Sequence, residues 1–286
     1  MTSDDERYTH GHHESVLRSH RWRTAENSAA FALGDLHAGM TLLDLGCGPG
    51  TITADLADRV APGRVLGVDR SPEVVAQASQ AFPATPGRDV TFVVGDVYDL
   101  NLPDASFDMV VAHQVLQHLR DPVAALIEAR RVTVAGGRLA VRDVDYGATL
   151  WWPPDPRLDQ WLALYHALTR RNGAQADAGR QLASWVRRAG WSDLVVSSST
   201  WTFARDADRQ WWGDLWAERI TESDLARQLR DEGLATMDEL SSIADAFRQW
   251  SWAPDGVFVM VHGEVRARRP VDDASAVLEQ SRVVAS

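Results

Sequence analysis

An α/β fold is predicted for this chain: a doubly wound, mostly parallel sheet with a helical insertion near its end. Three observations carry that prediction. Apolar strand segments alternate with helical segments from about residue 41 to 143, at the spacing that right-handed βαβ crossovers need. The first strands are near-continuous apolar runs, as expected of strands covered on both faces. The first of them runs straight into a glycine-rich turn that opens a helix, the arrangement with which open α/β sheets hold ligands at the carboxyl ends of their strands.

Taken in order, residues 1–38 precede the sheet. After a polar start, the apolar positions Val16, Trp22, Ala29, Phe31 and Leu36 predict one helix over residues 14–36. Strand one is Thr41-Leu42-Leu43-Asp44-Leu45, and Gly46-Cys47-Gly48-Pro49-Gly50 is the turn. Ile52, Leu56 and Val60 then share one helix face. Strand two, residues 64–68, ends at Asp69. Phe92-Val93-Val94-Gly95-Asp96 reads as strand three with a terminal acid, residues 106–111 as strand four, and residues 137–143 as strand five. Trp151-Trp152-Pro153-Pro154 reads as a proline-broken loop. A helix over 157–171 stops at Asn172-Gly173, and another over 180–190 precedes strand six at 195–203. Residues 256–266 form a closing antiparallel strand. The insertion, residues 204–255, is helical and aromatic: Trp211, Trp212, Leu215, Trp216 and Ile220 have helical spacing, as do Leu240, Ile243, Ala244, Phe247 and Trp250. The expected organisation is an N-terminal helical lid segment (1–38), one domain (39–267) with the insertion as a cap, and a mobile tail (268–286).

Composition narrows the chemistry. The 286 residues are 45% hydrophobic with 12 tryptophans, ample for a buried core. Twenty-nine basic against 40 acidic residues give a net charge of −11, and no strongly basic stretch occurs, which argues against a nucleic-acid partner. Every basic residue is arginine. The absence of lysine excludes a Schiff-base lysine, a P-loop lysine and a tyrosine–lysine reduction pair. Cys47 is the single cysteine, so no intrachain disulfide or cysteine-based zinc site forms, and it is expected to pack under the turn rather than act as a thiol. No apolar run approaches the ~20 residues of a membrane span, and no secretory leader pattern opens the chain; a cytoplasmic protein is the expectation.

The turn decides the ligand class. Gly46, Gly48 and Gly50 permit positive φ and bring bare backbone to a ligand. A dinucleotide site wants G-x-G-x-x-G, but the spacing here is G-x-G-x-G, with Thr51 where the third glycine would stand. Pro49 also removes an N–H that a phosphate would use. The unit suits an adenosine-type ligand without phosphates, its ribose hydroxyls donating to Asp69.

On these residues the chain resembles the class I S-adenosylmethionine-dependent methyltransferases, closest to the ubiquinone/menaquinone-biosynthesis type. The first motif reads Leu43-Asp44-Leu45-Gly46-Cys47-Gly48-Pro49-Gly50, followed in order by Asp69, by Gly95-Asp96, by Gln114-Val115-Leu116-Gln117-His118-Leu119 and by Arg131 to Gly137. The resemblance is close over about residues 38–145. It implies a Rossmann-like, seven-stranded, mostly parallel sheet and S-adenosylmethionine as cofactor, leaving S-adenosylhomocysteine. The residues it implies around that cofactor are Asp44, Gly46, Cys47, Gly48, Gly50, Asp69, Arg70, Asp96, Val97, His113 and Gln114, with Tyr8 closing over it from the N-terminal segment.

His113, directly after strand four, and His118 are candidate general bases for a hydroxyl or amine acceptor, since imidazole titrates near neutrality. Asp143, with Asp145 and Tyr146, is placed to meet the acceptor. The spacing of His113 and His118 is poor for a metal pair. The Tyr8-Thr9-His10-Gly11-His12-His13 cluster fits a lid, or next a disordered tail, better than a metal site, so no metal is expected. Trp185, Trp191 and Trp201 read as core. Trp151, Trp152, Trp211, Trp212 and Trp216 read as walls for a flat or hydrophobic small-molecule acceptor, or as packing for the cap. Aromatics in the cap are also compatible with a homodimer. A nicotinamide-dependent oxidoreductase, or a non-catalytic cofactor binder on the same fold, are the alternatives.

Overall fold

The computed structural model describes residues 14–271. One seven-stranded sheet runs in the order β3-β2-β1-β4-β5-β7-β6. Its strands are β1 (Thr41–Leu45), β2 (Arg64–Asp69), β3 (Asp89–Val94), β4 (Phe107–His113), β5 (Thr133–Trp152), β6 (Ser192–Phe203) and β7 (Val257–Arg268). The first five are parallel in register, and β7 runs antiparallel to both β5 and β6. The expected mostly parallel α/β sheet is therefore present. Chain order reverses between β1 and β4, and such switch points leave a crevice at the carboxyl ends of the strands.

Helices α4 (Thr51–Val60), α5 (Pro72–Ala81), α6 (Pro122–Val132) and α8 (Leu182–Arg188) flank the sheet. Several starts follow local chemistry. Ser71 and Asp121 accept from backbone N–H groups three residues on, each before a proline at the first helical position. Helices α9 (Asp206–Glu222), α10 (Asp224–Asp231) and α11 (Met237–Ser251) form the insertion. Together with α7 (Pro156–Arg171) they pack on the extended half of the sheet. Trp161, Trp216, Phe247 and Phe258 are fully buried there, and each such side chain contributes about 1.5–3 kcal/mol by leaving water.

Three expectations need correction. The helix over 14–36 is instead α1 (Glu14–Arg21), α2 (Ala25–Ser28) and α3 (Ala30–Leu33). A capping box between Thr24 and Asn27 starts a new helix where the old one would have continued. Strand five runs on to Trp152, because pairing with β7 extends it from Arg138 to Trp152. Trp151 and Trp152 thus end a strand rather than sit in a loop, and Asp143, Asp145 and Tyr146 lie within it. Finally, α8 is shorter than predicted, with a 3-10 turn at Gly179–Gln181 before it. The tail expectation falls mostly on residues 272–286, outside the described residues.

Candidate active site

The turn after β1 is built on positive φ. Gly46 has φ +64° and Gly48 φ +53°, and a Cβ added at Gly46 would lie 2.5 Å from Val115 Cγ2. At Gly48 the nearest atom to an added Cβ is His20 Nδ1 at 3.9 Å, so the space over that peptide is open. Asp69, at the end of β2, holds this backbone in place. Its Oδ2 accepts from Gly48 N at 3.0 Å and its Oδ1 from Ser71 N at 3.0 Å. A carboxylate has about four acceptor directions, so two bonds to backbone leave others for hydroxyls.

Beneath the turn, Asp44 is buried and accepts from Thr53 Oγ1 at 2.6 Å; burial, opposed by that hydroxyl, pushes its carboxyl up to about 7. Cys47 is buried too, and burial pushes its thiol up, away from the thiolate that a nucleophile needs. Gly50 differs from the expectation. It caps α4 in the left-handed region, a Cβ there would meet the Phe92 ring at 2.7 Å, and it does not line the cavity.

That cavity, about 230 Å³, sits over the switch point. Asp44, Gly46, Cys47, Gly48, Asp69 and Arg70 line one end. Asp96, Val97, His113, Gln114 and His118 line the rest, so the structure brings these predicted residues together. Tyr8 and the histidines of its cluster lie outside the described residues. His20 and Arg23, which sequence reading did not single out, close the cavity from the N-terminal segment. Arg23 Nη2 donates to Gln114 Oε1 at 2.7 Å.

Gln114 is the hinge of the site. It follows β4 with φ +54°, rare for a side chain of its size, and its Nε2 lies 2.9 Å from His262 Nε2. His113 is buried with neither ring nitrogen hydrogen-bonded, and burial beside Arg142 holds its pKa well below the usual range. Burial holds His118 down to about 3. Both imidazoles are therefore neutral and weakly basic.

Asp143 does not reach the cavity. Its Oδ1 accepts from Gln117 N at 3.4 Å, and it braces the turn after β4 from below. Burial, offset by backbone N–H groups of Gln117 and Leu116, pushes it up to about 8. Because the folded protein retains a proton that the unfolded chain releases near 3.8, Asp143 favours folding at low pH and disfavours it as pH rises toward 8. Asp143→Asn removes that titration. Urea denaturation at about pH 5 and pH 8 is expected to show the variant losing less stability than the parent chain across the interval; equal losses would contradict it. Asp145 is engaged elsewhere, with Arg180 Nε at 2.7 Å.

A second, inner pocket of about 20 Å³ adjoins the first and shares His20, Arg23, Gln114 and His118 with it. Trp22, Tyr146, Trp201, Trp211, Trp212 and Met260 supply its apolar walls. The tryptophans divide accordingly. Trp201 is buried in the core cluster, as expected, and also lines this pocket, edge-on to Trp22 at 5.2 Å, with its Nε1 donating to Asn27 O at 2.7 Å. Of the two readings for Trp216, wall or cap packing, the second holds: it is fully buried against Trp161 at 4.6 Å. Trp151 packs on Phe258, and Trp152 is half exposed with its Nε1 on Asp255. Among the described residues no cluster of histidine, cysteine and carboxylate groups could hold a metal, and no helix is long and apolar enough to cross a membrane.

Comparison with known proteins accords with this geometry. Residues 43–141 match the family model described as "Methyltransferase domain". The chain is 32% identical over 266 residues to an uncharacterized methyltransferase of Schizosaccharomyces pombe, covering 90% of this chain and 95% of that one. It is 27% identical over 282 residues to the probable methyltransferase ltbC of Aspergillus luteorubrus, covering 93% and 98%. Among solved structures, the YcgJ protein of Bacillus subtilis superposes with a TM-score of 0.57 at 18% identity, covering 86% of this chain and 99% of that one, a likeness of fold.

Proposed function

The chain belongs to the S-adenosylmethionine-dependent methyltransferases, and from that premise we propose that it methylates a small, largely apolar organic acceptor held in the inner aromatic pocket. The observation that carries this reading is the junction of two cavities across His20, Arg23, Gln114 and His118, one floored by glycines and edged by Asp69 and Asp96, the other walled by indoles.

The residues of the larger cavity fit the cofactor. The bare peptide at Gly48 leaves room for it, and the remaining acceptor directions of Asp69 suit ribose hydroxyls. Asp96 and Val97 stand at the far end for the adenine edge, and Arg23 offers a guanidinium to the amino-acid carboxylate. When bound, the cofactor supplies a methyl group on a sulfonium, whose positive charge is lost as the methyl moves to a nucleophile.

The protein's part is then positioning and exclusion of water. Gln114, fixed by Arg23 on one side and His262 on the other, holds the boundary between donor and acceptor cavities. Trp22 and Trp201 close the inner pocket against solvent. Neutral His113 and His118 place no like charge beside a sulfonium. Their low basicity favours an acceptor atom that needs no strong base. The insertion serves as a cap on the acceptor side, with Glu218 of α9 paired to Arg18 of α1.

Titration calorimetry with S-adenosylhomocysteine is expected to give a 1:1 complex, and with NAD no heat. Tritiated methyl donor incubated with a small-molecule extract is expected to label an extractable product. Absence of S-adenosylhomocysteine binding would sink the reading.

A further inference from the structure

We infer that the acceptor carries a neutral hydroxyl group that seats in the inner pocket between the indole N–H of Trp212 and the amide oxygen of Gln117, an assignment that rests on the methyltransferase reading above. Each of these side chains is 3% exposed, and both line the inner pocket and not the larger cavity. Trp212 Nε1 and Gln117 Oε1 are buried without a hydrogen-bond partner among the described residues. Buried polar atoms in native proteins are nearly always satisfied. A donor and an acceptor left over on the walls of one small pocket therefore mark a place for a group that accepts and donates at once.

Neither atom is free to turn elsewhere. The Trp212 ring is stacked on Phe203, with centres 4.2 Å and planes 8° apart, and Trp216 stands edge-on to it at 6.0 Å. That clamp fixes the direction of the indole N–H. The Gln117 amide is held at its other end, where its Nε2 lies 2.9–3.2 Å class distance from a ring nitrogen: 3.2 Å from His118 Nε2. An amide nitrogen only donates, so the imidazole nitrogen accepts and Oε1 is the atom left over. The main chain of Gln117 is pinned as well, its carbonyl accepting from Gln175 N at 2.7 Å. Donor and acceptor thus come from two separate elements, α9 and the turn after β4.

Size and chemistry select the group. The pocket's volume of about 20 Å³ holds about one water molecule or one hydroxyl. A carboxylate only accepts, and it would set a negative charge against the Gln117 oxygen. An ammonium only donates and would strand the Trp212 N–H, while a methyl group leaves both atoms unpaired. A hydroxyl serves both. It also reproduces the bonds of any water it displaces there, which a hydrogen or fluorine in its place does not. The pocket therefore selects hydroxylated acceptors over their deoxy counterparts.

The test is an NMR titration of the full-length protein saturated with S-adenosylhomocysteine, using phenol against fluorobenzene and benzyl alcohol against toluene, pairs that differ only at the hydroxyl. Benzoate is the charged control. At least one hydroxylated probe is expected to bind about tenfold or more tightly than its counterpart, because the counterpart leaves a buried donor and acceptor unpaired. Benzoate should bind more weakly than benzyl alcohol. Gln117→Met keeps the length of the side chain and removes its oxygen, and Trp212→Phe keeps a ring and removes the N–H; each should cut the preference to about threefold or less. S-adenosylhomocysteine affinity of each variant reports folding, since neither residue lines the larger cavity. Equal binding within both pairs, no binding of either hydroxylated probe, benzoate ahead of benzyl alcohol, or a preference that survives either substitution in a variant that still binds S-adenosylhomocysteine, overturns the inference. Failure of the parent chain to bind S-adenosylhomocysteine would instead overturn the methyltransferase reading on which it stands.

Discussion

Replacing Asp69 by alanine is expected to weaken S-adenosylhomocysteine binding by roughly a hundredfold or more, the loss of two charge-assisted hydrogen bonds at about 1.5–3 kcal/mol each. The carboxylate has two duties that no neighbour shares. Its bonds to Gly48 N and Ser71 N hold the turn and the start of α5 in register, and its remaining acceptor directions face the cavity. Alanine removes the ligand contact and frees the peptide that forms the floor. Calorimetry measures the affinity, and a thermal melt shows how much of the loss is local. An Asp69→Ala protein that binds within about threefold of the parent, less than a single hydrogen bond is worth, would contradict the assignment.

Gly46→Val is expected to cost the fold about 1–3 kcal/mol and to eliminate cofactor binding. At φ +64° a β-branched residue is strained before it touches anything, and its Cβ falls 2.5 Å from Val115 Cγ2. Val115 cannot retreat freely, because the preceding Gln114 is already in the left-handed region and tied to Arg23 and His262. The clash therefore spreads along the boundary between the two cavities. Gly48→Ala is the informative contrast, since an added methyl there meets only His20 at 3.9 Å. Its melt should move less than that of Gly46→Val while calorimetry still registers weakened binding.

What could be read from the sequence follows from how far apart the partners lie. The turn, its helix and Asp69 are legible because strand, glycines and acid are contiguous and each constrains the next. The cavity residues Asp96, Val97, His113 and Gln114 follow from the rule that ligands sit at the carboxyl ends of parallel strands. Arg23 was hidden within one apparent helix, and only the capping box at Thr24 explains why the chain turns there. Trp201 and His262 reach the site through β6 and β7, which pair antiparallel far along the chain, and Arg219 reaches it from helix α9 of the insertion. No local pattern encodes that register. Asp143 misled for a related reason: its strand continues well past it, and alternation turns its carboxylate under the loop instead of into the cavity.

The long pairing of β5 with β7 has a consequence for the molecule as a whole. One rib of backbone begins beside the parallel strands and finishes among the aromatic rings of α7 and α11, with Val144 and Phe258 in the same apolar cluster as Trp161 and Phe247. There is no seam along which the insertion could be lifted away, since excising it would bare the indoles that weld it to the sheet. The walls of the inner pocket and the scaffold are thus cut from one piece, and a change in one must be negotiated with the integrity of the other.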